Sequence, residues 1–230
     1  LASEPFRRDR PMLVVGVVLS VVLVGTLGMM IALNLWLLAG LAAPTPALEC
    51  LSPSYTVRQG KNYLDDVTPR ELLSEEYESL KQLFQWMDGD WVGDGHTVRC
   101  AGPEDGIRKE TESYTVTSRG KNRSQGQFTL ESHINNQEGR TRTDQTYDLY
   151  LNEHRLASSD LSVSDIEIVN AAATELIFVK KARIKGAGLF TAHEWVVSLR
   201  KVSDTSLEVQ DVFYVNGRLT SMSIWRLERK

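Results

Sequence analysis

The feature that most constrains the fold of this chain is a period-two alternation of apolar and polar residues from Trp91 to Glu228. Alternation of this kind places successive side chains on opposite faces of a sheet, so each alternating segment predicts a half-buried strand. Nine or ten such segments occur, and no long helical pattern interrupts them. Parallel strands need crossover connections that are usually helical, so the pattern predicts a mainly β, antiparallel domain.

The turns between these segments support the same architecture. Asn216-Gly217 lies between two alternating runs and predicts a hairpin. The apolar phase slips between Val163 and Ile166, which predicts a β-bulge. Sequential antiparallel strands must protect their edges, and closure into a barrel does so. We therefore predict an antiparallel β-barrel, with a β-sandwich as the alternative.

A helical pattern precedes the strands, in residues 68–87. Thr68 and Glu71 have the spacing of a capping box, and Pro69 would occupy the first helical position. Gly89 would end the helix. The pattern predicts a short amphipathic helix that packs on its own domain. The residues of its apolar face are Leu73, Tyr77, Leu80, Phe84 and Met87.

The segment Met12–Ala43 contains no charged residue. A membrane-spanning helix needs about 20 apolar residues, whereas the apolar core of a signal peptide has roughly 7 to 15. The segment is too long for a signal peptide, so it predicts a single transmembrane helix. Residues 1–11 would form a tail, residues 44–67 a linker, and residues 68–230 the helix-and-barrel domain.

Flanking charges predict the orientation of this helix. Arg7, Arg8 and Arg10 precede it, and basic residues are sparse in the linker that follows. Positive charge favours the cytoplasmic side, so the N-terminus would be cytoplasmic and the C-terminal domain periplasmic or extracellular, anchored in an inner or plasma membrane. Small residues and one amide would let the helix pack against other integral membrane subunits. These residues are Gly16, Ser20, Gly25, Gly28 and Asn34.

The chain has two cysteines, Cys50 in the linker and Cys100 in the first strand region. An even pair in an oxidising compartment suggests a disulfide, which would tie the linker to the barrel. Two unpaired thiols are the alternative.

Two short motifs carry a family resemblance. Gly89-Asp90-Trp91 begins the first strand and resembles the Gly-x-Trp signature of lipocalins and their calycin relatives. Ile224-Trp225-Arg226-Leu227 is similar to the closing strand of that family. The resemblance implies a barrel whose Trp91 and Arg226 meet at the closed end as a cation–π pair. It also implies room for a small apolar ligand such as a lipid, carotenoid or haem.

Candidate binding residues are few. His193 and Trp195 share one strand face. If that face points into the barrel, His193 could ligate a haem iron; the alternative is a histidine at the surface or one with a structural hydrogen bond. The histidines form no local metal-ligand pair, and no catalytic or nucleotide-binding motif occurs, so we predict neither an enzyme nor a resident cofactor or metal. Four acidic residues interrupt alternating runs without an evident partner. They are Asp148, Asp165, Glu194 and Asp211.

A local basic cluster consists of Lys180, Lys181, Arg183 and Lys185. It would touch anionic lipid headgroups if it faced a bilayer, or else form a solvated hairpin end. The net charge of −4 argues against a nucleic-acid partner.

Two functions remain. The first is an accessory subunit of a membrane complex, anchored by its helix and contacting partner subunits through its barrel. The alternative is a membrane-tethered binding protein for a small apolar ligand.

Overall fold

The computed structural model describes residues 50, 62–103, 106–123, 126–136, 142–152, 154–159, 166–186 and 189–230. Within these residues it contains one helix and ten strands. The elements are α1 (Ser74–Met87), β1 (Gly89–Ala101), β2 (Arg108–Arg123), β3 (Gln127–Asn136), β4 (Arg142–Asn152), β5 (Arg155–Ser158), β6 (Ile166–Ala172), β7 (Glu175–Gly186), β8 (Leu189–Lys201), β9 (Ser206–Val215) and β10 (Arg218–Arg229).

All ten strands belong to one sheet with the order β5-β4-β3-β2-β1-β10-β9-β8-β7-β6. Every pair of neighbours is antiparallel. Strands β1–β5 form one meander and β6–β10 a second, and the pairing of β1 with β10 joins them. The sheet curls into a nearly closed barrel with β5 and β6 at the two ends of the ladder. The predicted antiparallel barrel is confirmed, and a single continuous sheet replaces the alternative of two stacked sheets.

The predicted hairpin at Asn216-Gly217 is also confirmed. Asn216 has φ +50° and Gly217 has φ +75°, the two positive values that a tight turn matched to the strand twist requires. The bulge predicted between Val163 and Ile166 involves residues 163–165, which lie outside the described part of the chain. Within the described part of β6, the pairing with β7 has a register shift between Ile168 and Asn170.

The predicted start of the helix is wrong, because α1 begins at Ser74, five residues later. Tertiary hydrogen bonds hold the preceding backbone outside a helix. The Thr68 N–H donates to a carboxylate oxygen of Glu167 over 3.1 Å. The Leu72 N–H donates to the backbone carbonyl of His154 over 2.6 Å. Both donors are thereby used by the barrel, and the local capping signal does not decide the conformation.

Another carboxylate takes the capping role that Thr68 and Glu71 were expected to share. Glu76 accepts the Leu73 N–H over 2.9 Å at the first turn of α1. Arg70 holds Glu76 in place through two hydrogen bonds of 2.7 Å. The guanidinium of Arg70 is the main cause that lowers the pKa of Glu76. The helix dipole also stabilises the negative charge of Glu76 near the N-terminus of the helix.

The apolar face of α1 covers one end of the barrel. Leu80, Phe84 and Met87 are buried as predicted, together with Leu83. Leu73 lies before the helix and is exposed. The helix ends at Met87. Asp88, which follows it, is extended, and Gly89 begins β1 with a positive φ of +127°.

The segment that leads into α1 lies on the outer face of the second meander. Lys181 donates to the backbone carbonyl of Tyr63 over 3.2 Å. Arg183 forms an ion pair with Asp66 at 2.7 Å. Val67 packs against an outward-facing apolar cluster. The buried members of this cluster are Val179, Val196, Val212, Tyr214, Leu219 and Met222.

The structure joins Cys50 to Cys100 through a disulfide, with their Cα atoms 5.4 Å apart. The chain is therefore tied to the barrel near the end of β1 that is remote from α1.

The predicted transmembrane helix Met12–Ala43 lies outside the described residues, as do the tail 1–11 and the packing residues Gly16, Ser20, Gly25, Gly28 and Asn34. No helix in the described part of the chain has both the length and the apolar character that crossing a bilayer requires. The membrane anchor and its orientation stay predictions.

Candidate functional site: the lumen of the barrel

The end of the barrel next to α1 is closed by a tryptophan and an arginine. Trp91 is fully buried, and its ring N–H donates to the Met87 carbonyl over 2.9 Å. The guanidinium of Arg229 lies 4.4 Å from the centre of the Trp91 ring. Arg229 also donates to the backbone carbonyls of Trp86 and Asp88. One side chain thus binds the C-terminal end of the helix to the floor of the barrel.

The predicted pairing of Trp91 with Arg226 is wrong. The register between β1 and β10 places Trp91 opposite Arg229, and Arg226 opposite Asp94. Because neighbours on a strand alternate between faces, Arg226 is directed outwards. Its side chain is 75% exposed and lies 3.5 Å from Glu208. The predicted cation–π contact therefore exists, three residues later on the same strand.

The lumen next to this closed end is filled by side chains. Phe84 from the helix stacks on Phe128 from β3, with ring centres 4.9 Å apart. Further inward-facing residues from both meanders complete the packing, and all are essentially inaccessible to solvent. They include Leu130, Leu149, Leu176, Leu199, Val209 and Leu227.

A polar contact crosses the middle of the lumen. The Tyr147 hydroxyl of β4 donates to Asp211 Oδ2 of β9 over 2.9 Å. The Gln145 amide donates to the same oxygen over 3.2 Å. Burial raises the pKa of Asp211, although Tyr147, Lys180 and Gln145 act in the opposite direction. Burial, followed by the charge of Asp211, raises the pKa of Tyr147.

A second polar group lies on the other side of the lumen. The Trp225 ring N–H donates to the Tyr114 hydroxyl over 3.0 Å. Thr97 is 2.8 Å from that hydroxyl and 2.8 Å from Ser223. These four side chains thus provide hydrogen-bond partners for one another.

The Asp211 carboxylate has an oxygen that accepts neither of these bonds. Among the described residues, both hydrogen bonds to Asp211 end on Oδ2, which leaves Oδ1 as an acceptor.

Beyond this polar layer, toward the end of the barrel remote from α1, three aromatic rings line the wall. The ring centres of Trp195 and Phe213 are 5.0 Å apart, and the rings are stacked. His193 meets Phe213 edge-on at 5.3 Å and Trp195 at 5.8 Å. Lys180 Nζ lies 5.2 Å above the Trp195 ring. The structure thus places the predicted candidates His193 and Trp195 side by side on the inward face.

The two ends of the lumen differ in accessibility. Inward-facing side chains near α1 are buried, whereas those of the aromatic wall are only half-buried, as are Lys180, Gln145 and Asp211. Solvent therefore reaches the lumen from the end remote from α1, which we call the mouth. A small molecule entering the mouth would meet aromatic faces first and the Asp211 carboxylate beneath them.

The other acidic residues singled out in the sequence have structural surroundings. Asp148 accepts hydrogen bonds from four side chains of β3, β4 and the segment after β5. They are Gln127, Thr129, Tyr150 and Ser159. Burial acts to raise the pKa of Asp148, but these four bonds outweigh it and lower the pKa. Glu194 is buried on the outer face beside Lys181, at 3.2 Å. Asp165 lies outside the described residues.

The predicted basic cluster is divided between the two faces of β7. The register of β7 with β8 places Lys180 opposite Trp195 on the lumen side. Lys181 and Arg183 are directed outwards, where they contact the segment before α1. Lys185 alone lies near the tip of the hairpin.

Sequence reasoning missed Tyr147, Gln145 and Phe213. Strand alternation could have found them, because each residue is separated by an even number of positions from buried apolar residues of its own strand, and these face the lumen.

Comparison with known proteins gives little beyond the fold. No protein-family model matches the chain, and no curated protein is significantly similar to it. One similar solved structure is a protein of unknown function from the DUF3598 family of Nostoc punctiforme PCC 73102, with 13% identity and a TM-score of 0.41. The match covers 70% of this chain and 51% of that one, so it spans about half the length of the DUF3598 protein.

A second solved structure is EF1p2_mFAP2b bound to DFHBI, with 10% identity and a TM-score of 0.36. That match covers 66% of this chain and 99% of the other. At these TM-scores neither likeness bears on function, and the comparisons do not show membership of a family.

Proposed function

We propose that this domain binds a small amphipathic molecule in the mouth half of its barrel. The observation that carries the proposal is the half-buried wall of His193, Trp195 and Phe213 above the Asp211 carboxylate. Binding sites for small molecules combine mostly apolar and aromatic linings with a few placed polar groups. The mouth half has this composition, whereas the lumen next to α1 is filled by buried side chains.

The chemistry of the wall indicates the chemistry of the ligand. Flat or chain-like apolar groups would gain contact with the stacked Trp195 and Phe213 rings. Asp211 Oδ1 would accept a hydrogen bond from a hydroxyl or amine of the ligand. Lipids, carotenoids and haem remain the candidate classes, and for haem His193 would be the iron ligand.

The test is a fluorescence titration of the full chain in lipid nanodiscs with 1-aminoanthracene, which pairs an aromatic body with an amine donor. Anthracene-1-carboxylate is the matched probe without that donor. We expect saturable binding of 1-aminoanthracene that Phe213→Ala weakens at least about tenfold, the equivalent of roughly 1.4 kcal/mol. Phe190→Ala is the matched control, because Phe190 lies on the outward face of β8 and is exposed.

Two results would overturn the proposal. One is the absence of saturable binding by a chain whose near-ultraviolet circular dichroism shows a folded barrel. The other is an equal loss of affinity in Phe213→Ala and Phe190→Ala. If binding is found, displacement of the probe by a fatty alcohol, a carotenoid or haemin then identifies the ligand class.

The role as an accessory subunit depends on the segment Met12–Ala43, outside the described residues. It stays a prediction, as do the partner subunits, the membrane location and the absence of enzymatic activity.

A further inference from the structure

A layer of buried side chains crosses the lumen between its two ends. In the order of the sheet, β4 and β9 stand five places apart among ten strands, so they face each other across the barrel. The hydrogen bond of 2.9 Å from the Tyr147 hydroxyl to Asp211 joins these two strands. It therefore runs across the width of the lumen rather than along one wall. The Tyr147 ring lies 6.2 Å from the Trp225 ring of β10, centre to centre.

On the side of β1, aromatic residues fill this layer. The Trp225 ring N–H donates to the Tyr114 hydroxyl over 3.0 Å, and both side chains are at most 5% exposed. The Tyr114 ring lies directly on the backbone of Gly95, where an added Cβ atom would come within 2.0 Å of it. Because Gly95 has no side chain, the Tyr114 ring occupies the space between β1 and the centre of the lumen.

On the side of β7, apolar residues fill the layer. The register of β9 with β8 pairs Asp211 with Val197, and that of β8 with β7 pairs Val197 with Phe178. Residues paired in this way share one face of the sheet at the same level of the barrel. Val197 and Phe178 are at most 1% exposed. A molecule that enters from the mouth therefore meets packed side chains at this level, which we call the dividing layer.

The lumen on the mouth side of the dividing layer is shallow. On β9, Val215 lies four residues beyond Asp211 and is the last residue of the strand. At about 3.3 Å per residue, this wall extends about 13 Å beyond the layer. Barrel strands tilt by about 35–45° from the barrel axis, so the depth along that axis is about 10 Å. The hairpin at Asn216-Gly217 then turns the chain back into β10.

This depth limits the length of a ligand. With bonds of about 1.5 Å and angles near 111°, an extended carbon chain advances about 1.25 Å per atom, so about eight carbons span 10 Å. The fused rings of anthracene have a similar length. Long acyl chains and carotenoids greatly exceed it.

We infer that the ligand is compact, a short chain or a fused ring system whose inserted part is no longer than about 10 Å. The dividing layer excludes the full insertion of a long acyl chain or a carotenoid. This inference rests on the proposed function, because it concerns the same site and names the class of molecule that the site accepts.

The test displaces 1-aminoanthracene from the full chain in lipid nanodiscs with primary n-alkylamines of increasing length, from butylamine to dodecylamine. Free amine concentrations are measured by equilibrium dialysis, so that partition into the lipid does not enter the affinity. We expect the affinity to rise about fourfold with each methylene group up to about eight carbons, because each group leaves water. From there to dodecylamine the affinity should change less than about twofold, because further methylene groups extend beyond the wall.

Two variants on β4 test whether the dividing layer sets this limit. Tyr147→Ala truncates a residue of the layer and leaves a cavity, so the affinity should continue to rise for at least about two further carbons. Tyr150→Ala is the matched control, because Tyr150 lies on the opposite face of the same strand, where it donates to Asp148. Its limit should stay at about eight carbons. Near-ultraviolet circular dichroism of each variant verifies that the barrel is folded.

A constant rise in affinity through dodecylamine in the parent chain would overturn the inference and leave the proposed function intact. A limit in Tyr147→Ala at the same chain length as in the parent chain would also overturn it. Absence of displacement by any of the amines in a folded chain would instead refute the proposed function, and the inference with it.

Discussion

The two ends of this barrel belong to one sheet, but their side chains differ in burial and in role. At the closed end, Trp91 and Phe84 are fully buried and Arg229 binds the helix to the barrel. At the mouth, Trp195 and Asp211 are half-buried, and burial raises the pKa of the carboxylate. Side chains that exclude water favour the folded state, whereas accessible aromatic and charged groups contribute less to it. We infer that the closed end supplies stability and that the mouth is available for binding.

The strongest test of this division compares two tryptophans. Replacing Trp91 with alanine should lower the free energy of unfolding by about 3–5 kcal/mol, because it removes a fully buried ring and leaves a cavity. Trp195→Ala should cost about 1 kcal/mol, because its ring is only half-buried and solvent can fill the space. Urea unfolding followed by far-ultraviolet circular dichroism measures both values. Equal losses would show that the mouth is packed as tightly as the closed end.

A smaller effect is expected from two arginines on the same strand. Arg229→Ala removes a cation–π contact and hydrogen bonds to the end of α1, so it should cost about 1–3 kcal/mol. Arg226→Ala should change stability by no more than about 0.5 kcal/mol, because its side chain is exposed. Thermal unfolding of the two variants checks this order. A larger loss of stability in Arg226→Ala than in Arg229→Ala would support the contact of Trp91 with Arg226 that the family resemblance implies.

The smallest effect concerns the mouth alone. Because the pKa of Asp211 is raised, the folded state holds its proton more tightly than the unfolded chain. The contribution of Asp211 to stability therefore falls as pH rises from the ordinary aspartate range through the raised pKa. Asp211→Asn should remove this fall and raise the stability at neutral pH by up to about 1 kcal/mol. Urea unfolding over a series of pH values measures the slope. The same pH dependence of stability in the parent chain and in the variant would contradict the assignment.

The outline of the fold was predictable because strand alternation and turn residues are local signals. Asn216 and Gly217 specify their turn by themselves, and the number of alternating segments agrees with the ten strands. The start of α1 was not predictable, because the Thr68 and Leu72 N–H groups bond to partners more than eighty residues away in the chain. A local capping motif does not determine where a helix begins when such long-range contacts hold the backbone in another conformation.

The site was predictable only in part. Parity placed His193 and Trp195 on one face, but their neighbours Phe213 and Lys180 come from other strands. Asp211 was visible as an interruption of an alternating run, whereas its partner Tyr147 lies 64 positions away. Whether Arg226 or Arg229 contacts Trp91 depends on the register between β1 and β10, which come from opposite ends of the domain. Strand alternation carries no information on that register.

The pairing of β1 with β10 has a consequence for the order of folding. Every other rung of the ladder joins strands that are consecutive in the chain, so each meander can form from short loops with a low entropic cost. The contact between Tyr147 in the first meander and Asp211 in the second exists only once the two are joined. Non-local contacts of this kind form slowly. We therefore expect the lumen to be the last part of the domain to acquire its native structure, in the same step that brings Arg229 to Trp91.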